Sequence, residues 1–206
     1  MITHTDERPE RFWERFYAER IARWSGEPNR SIVAEAAGLA PGTVLELGCG
    51  EGADAIWFAR QGWTVTAVDI SATALGAAAE AAARAGVADA IRFERRDLAA
   101  GLPAGSFDLV ATAFLHSPAE LPRAQVLRAA AAAVAVGGRL LIVGHAPSDA
   151  HPHADLPAPE QVLAELALPD EQWELHAAEL REVVHAFAGE EPTARVDTVV
   201  HLRRLA

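Results

Sequence analysis

The sequence predicts an α/β fold in which a mostly parallel sheet has helices on both faces and ends in an antiparallel hairpin strand. Three observations predict it. Short apolar runs alternate with helical patterns from residue 43 to residue 166, as in consecutive βα units. Two further strand patterns follow with only a Gly189-Glu190-Glu191-Pro192 turn between them, so they must pair antiparallel. The length of 206 residues suits one domain with a sizeable core.

The individual elements follow from periodicity and from capping residues. Large apolar residues recur at spacings of three and four in the first predicted helix, which is therefore amphipathic. Ser71 is a favourable N-cap for the long alanine-rich helix, and Gly137-Gly138 predicts the end of the helix that begins at residue 119. The predicted helices cover residues 8–24, 29–37, 53–60, 71–86, 119–134 and 159–166. The predicted strands cover residues 43–47, 64–68, 90–94, 107–114, 139–144, 173–184 and 195–203.

The composition limits the classes of partner. A formal net charge of −11 repels phosphate backbones and anionic lipids, so we expect neither nucleic-acid nor membrane partners. Cys49 is the only cysteine, which excludes an intramolecular disulfide and a cysteine metal cluster. Because the sequence shows neither a secretory signal nor an uninterrupted apolar span, we expect a cytoplasmic protein. We expect a single domain over residues 1–206, a monomer or homodimer, with residues 1–28 as an aromatic helix or lid and 29–206 as the core.

A glycine-rich turn, GCGEG, follows the first predicted strand at residues 48–52. Glycines there allow a ligand to approach the backbone at the carboxyl end of a parallel sheet. Glu46 precedes this glycine turn, and Glu51 and Asp54 lie at the start of the next helix. These carboxylates would repel a pyrophosphate and would favour a ligand with an amino group and a sulfonium, such as S-adenosylmethionine.

Two more acidic residues follow the next strands. Asp69 ends the second strand, where a carboxylate can accept ribose hydroxyls in NAD as well as in S-adenosylmethionine. Asp97 follows the third strand, where it could accept the adenine amino group while Leu98 donates its backbone N–H. The terminal hairpin favours S-adenosylmethionine, because NAD-binding folds usually end on a parallel strand. An NAD-dependent oxidoreductase stays open as a minor alternative.

The blocks ELGCGEG, AVDIS, RRDL and FDLVATAFLH with GGRLLIVGH resemble, in this order, the motifs of class I S-adenosylmethionine-dependent methyltransferases. The resemblance covers about residues 30–205 and implies a Rossmann-like, seven-stranded sheet. The compact form is most similar to the tellurite-resistance and thiopurine methyltransferase-like enzymes. This implies methyl transfer to a small-molecule acceptor, with a thiol, selenol, other chalcogen or hydroxyl nucleophile, and S-adenosylhomocysteine as product. A non-catalytic module that binds S-adenosylmethionine or S-adenosylhomocysteine is the alternative from another class.

The resemblance also implies the residues that hold the cofactor. Residues of the glycine turn would face the methionine part, the Asp69 region the ribose, and the Asp97 region the adenine. Phe114 would lie near the transferred methyl group, and Arg30 or Asn29 would reach the methionine carboxylate. The implied cofactor contacts are Glu46, Gly48, Cys49, Gly50, Gly52, Asp69, Ile70, Asp97, Leu98, Phe114 and Arg30.

Three residues are candidates for the chemistry. His116 and His145 follow the fourth and fifth strands at the carboxyl edge, and either could deprotonate or orient an acceptor, since histidine titrates near neutral pH. Tyr17, the only tyrosine, is the third candidate. We expect all three to line the substrate pocket together with Trp13 and Trp24, because aromatic side chains suit an apolar or polarizable substrate.

The loop HAPSDAHPHADLP at residues 145–157 raises the question of a metal. His151 and His153 have Asp149 and Asp155 nearby, but the proline between the two histidines limits their convergence on one ion. We therefore expect no metal site and a solvated loop that closes over the substrate.

Overall fold

The computed structural model describes residues 7–20, 26–147, 156–185 and 193–206, in which strands and helices alternate as the sequence predicts. The strands are β1 (Thr43–Leu47), β2 (Thr64–Asp69), β3 (Ile91–Arg95), β4 (Phe107–Ala113), β5 (Val134–His145), β6 (Trp173–His185) and β7 (Thr193–Arg204). The helices are α1 (Pro9–Arg20), α2 (Arg30–Ala36), α3 (Ala53–Arg60), α4 (Ala72–Arg84), α5 (Arg123–Ala132) and α6 (Pro159–Leu166).

The seven strands form one sheet in the order β3-β2-β1-β4-β5-β7-β6. Strands β1 to β5 are parallel, and β7 runs antiparallel to both of its neighbours. The predicted α/β class, a mostly parallel Rossmann-like sheet with an antiparallel C-terminal hairpin strand, is confirmed. The chain reverses its direction of winding between β1 and β4, where open α/β sheets bind ligands. Because β7 is antiparallel, its first residues reach the same edge, and Asp197 pairs with His145 at the end of β5.

Each face of the sheet is covered by its own apolar cluster. Helices α2, α3 and α4 cover one face, where Ile32 and Phe58 are at most 1% exposed. Helices α5 and α6 cover the other, where Leu127 and Leu166 are equally buried. Each such side chain contributes about 1.5–3 kcal/mol by its removal from water. In the described parts of the chain, no helix combines the length and apolar character that crossing a membrane requires.

The role predicted for Gly137-Gly138, closing the fifth helix ahead of a strand that begins at residue 139, is wrong, although the helix was predicted to end at residue 134, close to its observed end. Helix α5 ends at Ala132, and both glycines lie within β5, where the pairing with β4 shifts its register between Phe107 and Leu109. A Cβ on Gly138 would lie 2.9 Å from the carbonyl oxygen of Ala135, so the irregular strand requires glycine there.

The start predicted for this helix at residue 119 is also wrong, because α5 begins only after Pro122. Pro122 is the N-cap of α5, and a proline restricts the residue before it to extended backbone, which delays the helix.

Candidate active site

The glycine turn joins β1 to α3 at the carboxyl edge of the sheet. Gly48, Gly50 and Gly52 have φ values of 72°, 53° and 81°, in the left-handed region that favours glycine. A Cβ on Gly50 would lie 2.8 Å from the hydroxyl oxygen of Tyr17 in α1. The turn therefore needs glycine both for its backbone conformation and for the close approach of α1.

Asp69, at the end of β2, stabilises the glycine turn by hydrogen bonding. One carboxylate oxygen accepts the backbone N–H of Gly50 at 2.9 Å, and the other accepts that of Ser71 at 2.9 Å. The residue is 6% exposed, and burial raises the pKa of its carboxyl group. Each oxygen retains a lone pair for a further donor, such as a ribose hydroxyl.

Two further carboxyl groups are buried beside this turn. Glu46 is 5% exposed and Asp54 is 9% exposed, and the backbone N–H of Asn29 donates to Asp54 at 2.6 Å. Burial raises the pKa of Asp54 to about 6. Burial, together with the charges of Asp54 and Asp69, raises the pKa of Glu46 well above its ordinary range. A positively charged ligand would stabilise the ionised form of these groups.

Two buried polar atoms near Asp54 lack a hydrogen-bond partner among the described residues. They are Oε2 of Glu46 and Nδ2 of Asn29. The other side-chain atom of Asn29 is engaged, because its oxygen accepts the N–H groups of Ser31 and Ile32 at 2.8 and 3.1 Å and so caps α2. A buried carboxylate acceptor and a buried amide donor fit the ammonium and carboxylate of an α-amino acid. The residues present therefore fit the methionine end of S-adenosylmethionine.

The opposite end of the site is an open cleft of about 500 Å³. Its lining residues are Arg8, Pro9, Glu10, Ile70, Arg95, Arg96 and Asp97. The exposed carboxylate of Asp97 accepts the N–H of Ala99 at 2.9 Å and caps a short 3-10 helix. The side chain of Leu98 packs into the core on the α5 face. This cleft brings together Ile70 and Asp97, the residues predicted to contact the ribose and the adenine.

Helix α1 crosses this edge of the sheet, and its side chains form hydrogen bonds on both sides of the glycine turn, to the start of α4 and to the loop after β4. Glu14 accepts the backbone N–H of Ala72 at 2.6 Å and the hydroxyl of Ser71 at 3.2 Å, so it caps the N-terminus of α4. At the other end, the indole N–H of Trp13 donates to the hydroxyl of Ser117 at 3.3 Å. Helix α1 therefore covers the glycine turn from the start of α4 to the loop after β4.

Tyr17 and Cys49 both lie at the glycine turn and are both 7% exposed. Burial, reinforced by the charge of Asp69, raises the pKa of the Tyr17 phenol above its ordinary value. Burial likewise raises the pKa of the Cys49 thiol. Both groups stay protonated near neutral pH, so Tyr17 can donate a hydrogen bond but does not act as a base, and Cys49 is a poor nucleophile.

Three rings form a stack at the ends of β4 and β5. The ring centroids of Phe114 and His145 are 4.3 Å apart with an interplanar angle of 19°, and those of His145 and His116 are 5.9 Å apart at 24°. Phe114 has a φ of 55°, an uncommon conformation for a residue with a bulky side chain. Such strain persists only where the surroundings maintain it, and it is frequent at functional sites.

Of the two roles predicted for His116, burial disfavours the role of a base near neutral pH. Burial, with contributions from Arg123 and His145, lowers the pKa of His116 to about 3. The ring is therefore neutral, and its Nε2 atom has no hydrogen-bond partner among the described residues. It can accept or donate a hydrogen bond according to its tautomer, which suits an orienting role better than proton abstraction.

Arg195 is a site residue that sequence reasoning missed. Its guanidinium carbon lies 4.3 Å from the centroid of the Phe114 ring, and its Nε donates to Asp197 at 2.9 Å. Asp197 is fully buried and also accepts the hydroxyl of Ser31 at 2.8 Å. The alternation of Arg195 and Asp197 along a strand was the available signal, because residues two apart share one face of a sheet.

Comparison with known proteins identifies the class of this fold. Residues 44–138, from β1 into β5, match the family described as methyltransferase domain. Over these residues the chain is similar to methyltransferase domains, in agreement with the resemblance of its motifs to class I S-adenosylmethionine-dependent methyltransferases. Over 47 residues it is 49% identical to the ribosomal RNA small subunit methyltransferase C of Alcanivorax borkumensis, a match that covers 23% of this chain. That match spans only 14% of the ribosomal RNA enzyme.

Solved structures share this fold over nearly the whole chain. A structure from work on the conversion of a disulfide bond into a thioacetal group during echinomycin biosynthesis is 23% identical, with a TM-score of 0.73 and coverage of 95% of this chain and 92% of that one. TehB from Haemophilus influenzae is 19% identical, with a TM-score of 0.66 and coverage of 94% and 67%. Magnesium protoporphyrin IX methyltransferase from Synechocystis PCC 6803, solved with bound S-adenosylmethionine, is 18% identical, with a TM-score of 0.64 and coverage of 98% and 100%.

Of the remaining predicted site residues, one is exposed and the others lie outside the described residues. Arg30, the first residue of α2, is exposed, so the buried amide of Asn29 is the better partner for the methionine carboxylate. Trp24 and the pair His151 and His153 lie outside the described residues. Within the described ranges, no group of three or more His, Cys, Asp or Glu side chains could hold a metal ion.

Proposed function

We propose that the protein transfers the methyl group of S-adenosylmethionine to a small-molecule acceptor by in-line displacement. The observation that supports it most directly is the buried Oε2 of Glu46, which lacks a hydrogen-bond partner among the described residues beside the equally unpartnered amide of Asn29. A pyrophosphate would meet repulsion at Glu46 and Asp54, whereas an amino group would be stabilised there. This arrangement favours the methyltransferase over an NAD-dependent oxidoreductase.

S-adenosylmethionine held at this site would supply a methyl group on a sulfonium, and attack by the acceptor would form the new bond while the carbon–sulfur electron pair passed to sulfur. The chain itself binds, aligns and shields the reactants, which can account for much of the rate. Helix α1 belongs to the N-terminal segment predicted to be a lid, and it excludes water from the glycine turn. The neutral ring of His116 orients the acceptor through a hydrogen bond, beside the aromatic surface of Phe114 and His145.

The acceptor that suits this site best has a nucleophile that is already ionised. With a pKa of about 3, His116 is a weak base, and the phenol of Tyr17 stays protonated. A thiolate or selenolate needs no base, whereas a hydroxyl does. The net charge of −11 also disfavours RNA as an acceptor, despite the short match to a ribosomal RNA enzyme. We therefore rank small thiols and selenols above hydroxyl acceptors.

Calorimetric titration with S-adenosylhomocysteine, and with NAD in a parallel cell, tests the cofactor. We expect micromolar binding of S-adenosylhomocysteine and none of NAD. Incubation with S-adenosylmethionine and a panel of thiols, selenols and alcohols, followed by measurement of S-adenosylhomocysteine, then tests the reaction. Binding without turnover of any acceptor would favour the non-catalytic module. Failure to bind S-adenosylhomocysteine would exclude both the methyltransferase and the non-catalytic module.

A further inference from the structure

The acceptor end of the site is the region around the stacked rings of Phe114, His145 and His116. There, the guanidinium of Arg195 is held in place by two contacts. Its Nε donates to the buried carboxylate of Asp197 at 2.9 Å, and that carboxylate is itself held by the hydroxyl of Ser31 at 2.8 Å. The ring of Phe114 lies 4.3 Å from the guanidinium carbon, which is a cation–π distance. A side chain fixed in this way loses little conformational freedom when it binds a ligand.

The terminal donors of Arg195 remain available. A guanidinium presents five N–H donors in a planar fork, and the bond to Asp197 uses only the one on Nε. Among the described residues, none accepts a hydrogen bond from the terminal Nη atoms. The side chain is 23% exposed, so a small ligand can reach these donors.

The two ends of the site differ in charge. Carboxyl groups surround the glycine turn, whereas Arg195, near the start of β7, lies against Phe114, which follows β4. The charge of Arg195 still reaches Asp54, where it partly offsets the effect of burial on the pKa of that carboxyl group. The second guanidinium close to the stacked rings, that of Arg123, is paired with Glu165 at 2.5 Å. The fork of Arg195 therefore offers the donors that a planar anion on the acceptor would use.

We propose that Arg195 selects methyl acceptors that carry a carboxylate, which binds to its terminal Nη groups while the nucleophile faces the methyl group. Ser31 and Asp197 are positioning residues that hold the guanidinium over Phe114. This inference rests on the proposed methyl transfer and adds the class of its acceptor. The carboxylate of S-adenosylmethionine is the competing ligand for the same guanidinium, and the experiment distinguishes the two.

Saturation-transfer NMR on the complex with S-adenosylhomocysteine measures the Kd of two matched probes. These are 3-mercaptopropionate and its neutral counterpart 3-mercapto-1-propanol. We expect the carboxylate to bind about tenfold more tightly, as a charge-assisted hydrogen bond predicts. In Arg195→Gln, whose amide can still donate to Asp197, this preference disappears while the affinity for S-adenosylhomocysteine is retained. Arg203→Met, at an exposed arginine on the same strand, keeps the preference.

Equal Kd values for the two thiols in the wild-type protein overturn the proposal, and this comparison needs no variant to fold. A preference that survives in Arg195→Gln overturns it as well. A fall in the affinity of Arg195→Gln for S-adenosylhomocysteine assigns the guanidinium to the cofactor instead. Failure of the wild-type protein to bind S-adenosylhomocysteine contradicts the proposed function, and the two thiols are then compared on the ligand-free protein to decide the role of Arg195 separately.

Discussion

Replacing Asp54 with asparagine tests whether the buried acids at the glycine turn destabilise the ligand-free protein. Asp54 is 9% exposed and accepts the backbone N–H of Asn29 at 2.6 Å. Asparagine retains a carbonyl oxygen that can accept the same hydrogen bond. The substitution therefore removes the buried charge and leaves the local geometry in place.

The expected magnitude follows from the pKa of Asp54. Burial raises it from an ordinary value of 3.8 to about 6. A group with a raised folded-state pKa contributes stability that is fully present below its unfolded pKa and is lost as the pH rises through its folded pKa. One pKa unit corresponds to about 1.4 kcal/mol, so the total loss is about 3 kcal/mol. About 2 kcal/mol of this loss falls between about pH 4 and about pH 7.

Urea unfolding of the ligand-free wild-type and Asp54→Asn proteins at these two pH values measures the effect. The variant should gain at least about 2 kcal/mol in free energy of unfolding relative to the wild type as the pH rises. Distant titrating groups cancel in this comparison, whereas Glu46 adds to the gain, because its pKa is raised partly by the charge of Asp54. Asp89→Asn, at an exposed carboxylate, controls for the removal of one negative charge. A difference between Asp54→Asn and wild type that stays constant or shrinks as the pH rises would refute the argument that burial destabilises the ionised acid.

Three further predictions concern the cofactor end and the acceptor end of the site. Glu46→Gln should weaken binding of S-adenosylhomocysteine by about tenfold to a hundredfold in calorimetric titration, because it removes a charge-assisted hydrogen bond to the amino group. Gly50→Ala should destabilise the protein by about 1–2 kcal/mol in urea unfolding, because Gly50 has a left-handed backbone conformation. Adding Tyr17→Phe should restore part of this loss, since the new Cβ would lie 2.8 Å from the hydroxyl oxygen of Tyr17. His116→Gln should lower kcat and leave the shape of the pH–rate profile between about pH 5 and 9 unchanged, because the pKa of His116 is about 3. Loss of a titration in that range would contradict the orienting role of a neutral His116.

The fold class was predictable because buried strands and amphipathic helices differ in hydrophobic period and alternate along the chain. The position of β7 was not, since a hairpin pattern predicts that two strands pair but not which of them lies against β5. The start of the fifth strand was predicted too late for a local reason. A glycine pair marks an irregular strand as readily as a helix end, and Gly137-Gly138 lies within the strand.

The cofactor end of the candidate site was easier to predict than the acceptor end. Glu46, the glycine turn and Asp69 lie within a few residues of successive strand ends, which a parallel sheet brings to one edge. The alternation of Arg195 and Asp197 shows that they share one face of a strand, but Arg195 reaches Phe114 only because β7 inserts antiparallel beside β5, which no local pattern reveals. The lowered pKa of His116 depends on burial, which the sequence of a loop does not reveal.

Features that destabilise the ligand-free protein are concentrated at the carboxyl edge of the sheet. Buried polar atoms of Asn29, Glu46 and His116 lack hydrogen-bond partners among the described residues, and Phe114 adopts a positive φ. Each unsatisfied buried group costs about 1–3 kcal/mol. A ligand that satisfies these groups recovers that free energy as affinity. Asp54→Asn should therefore be the more stable protein near neutral pH and the weaker binder of S-adenosylhomocysteine, because one buried charge is responsible for both effects.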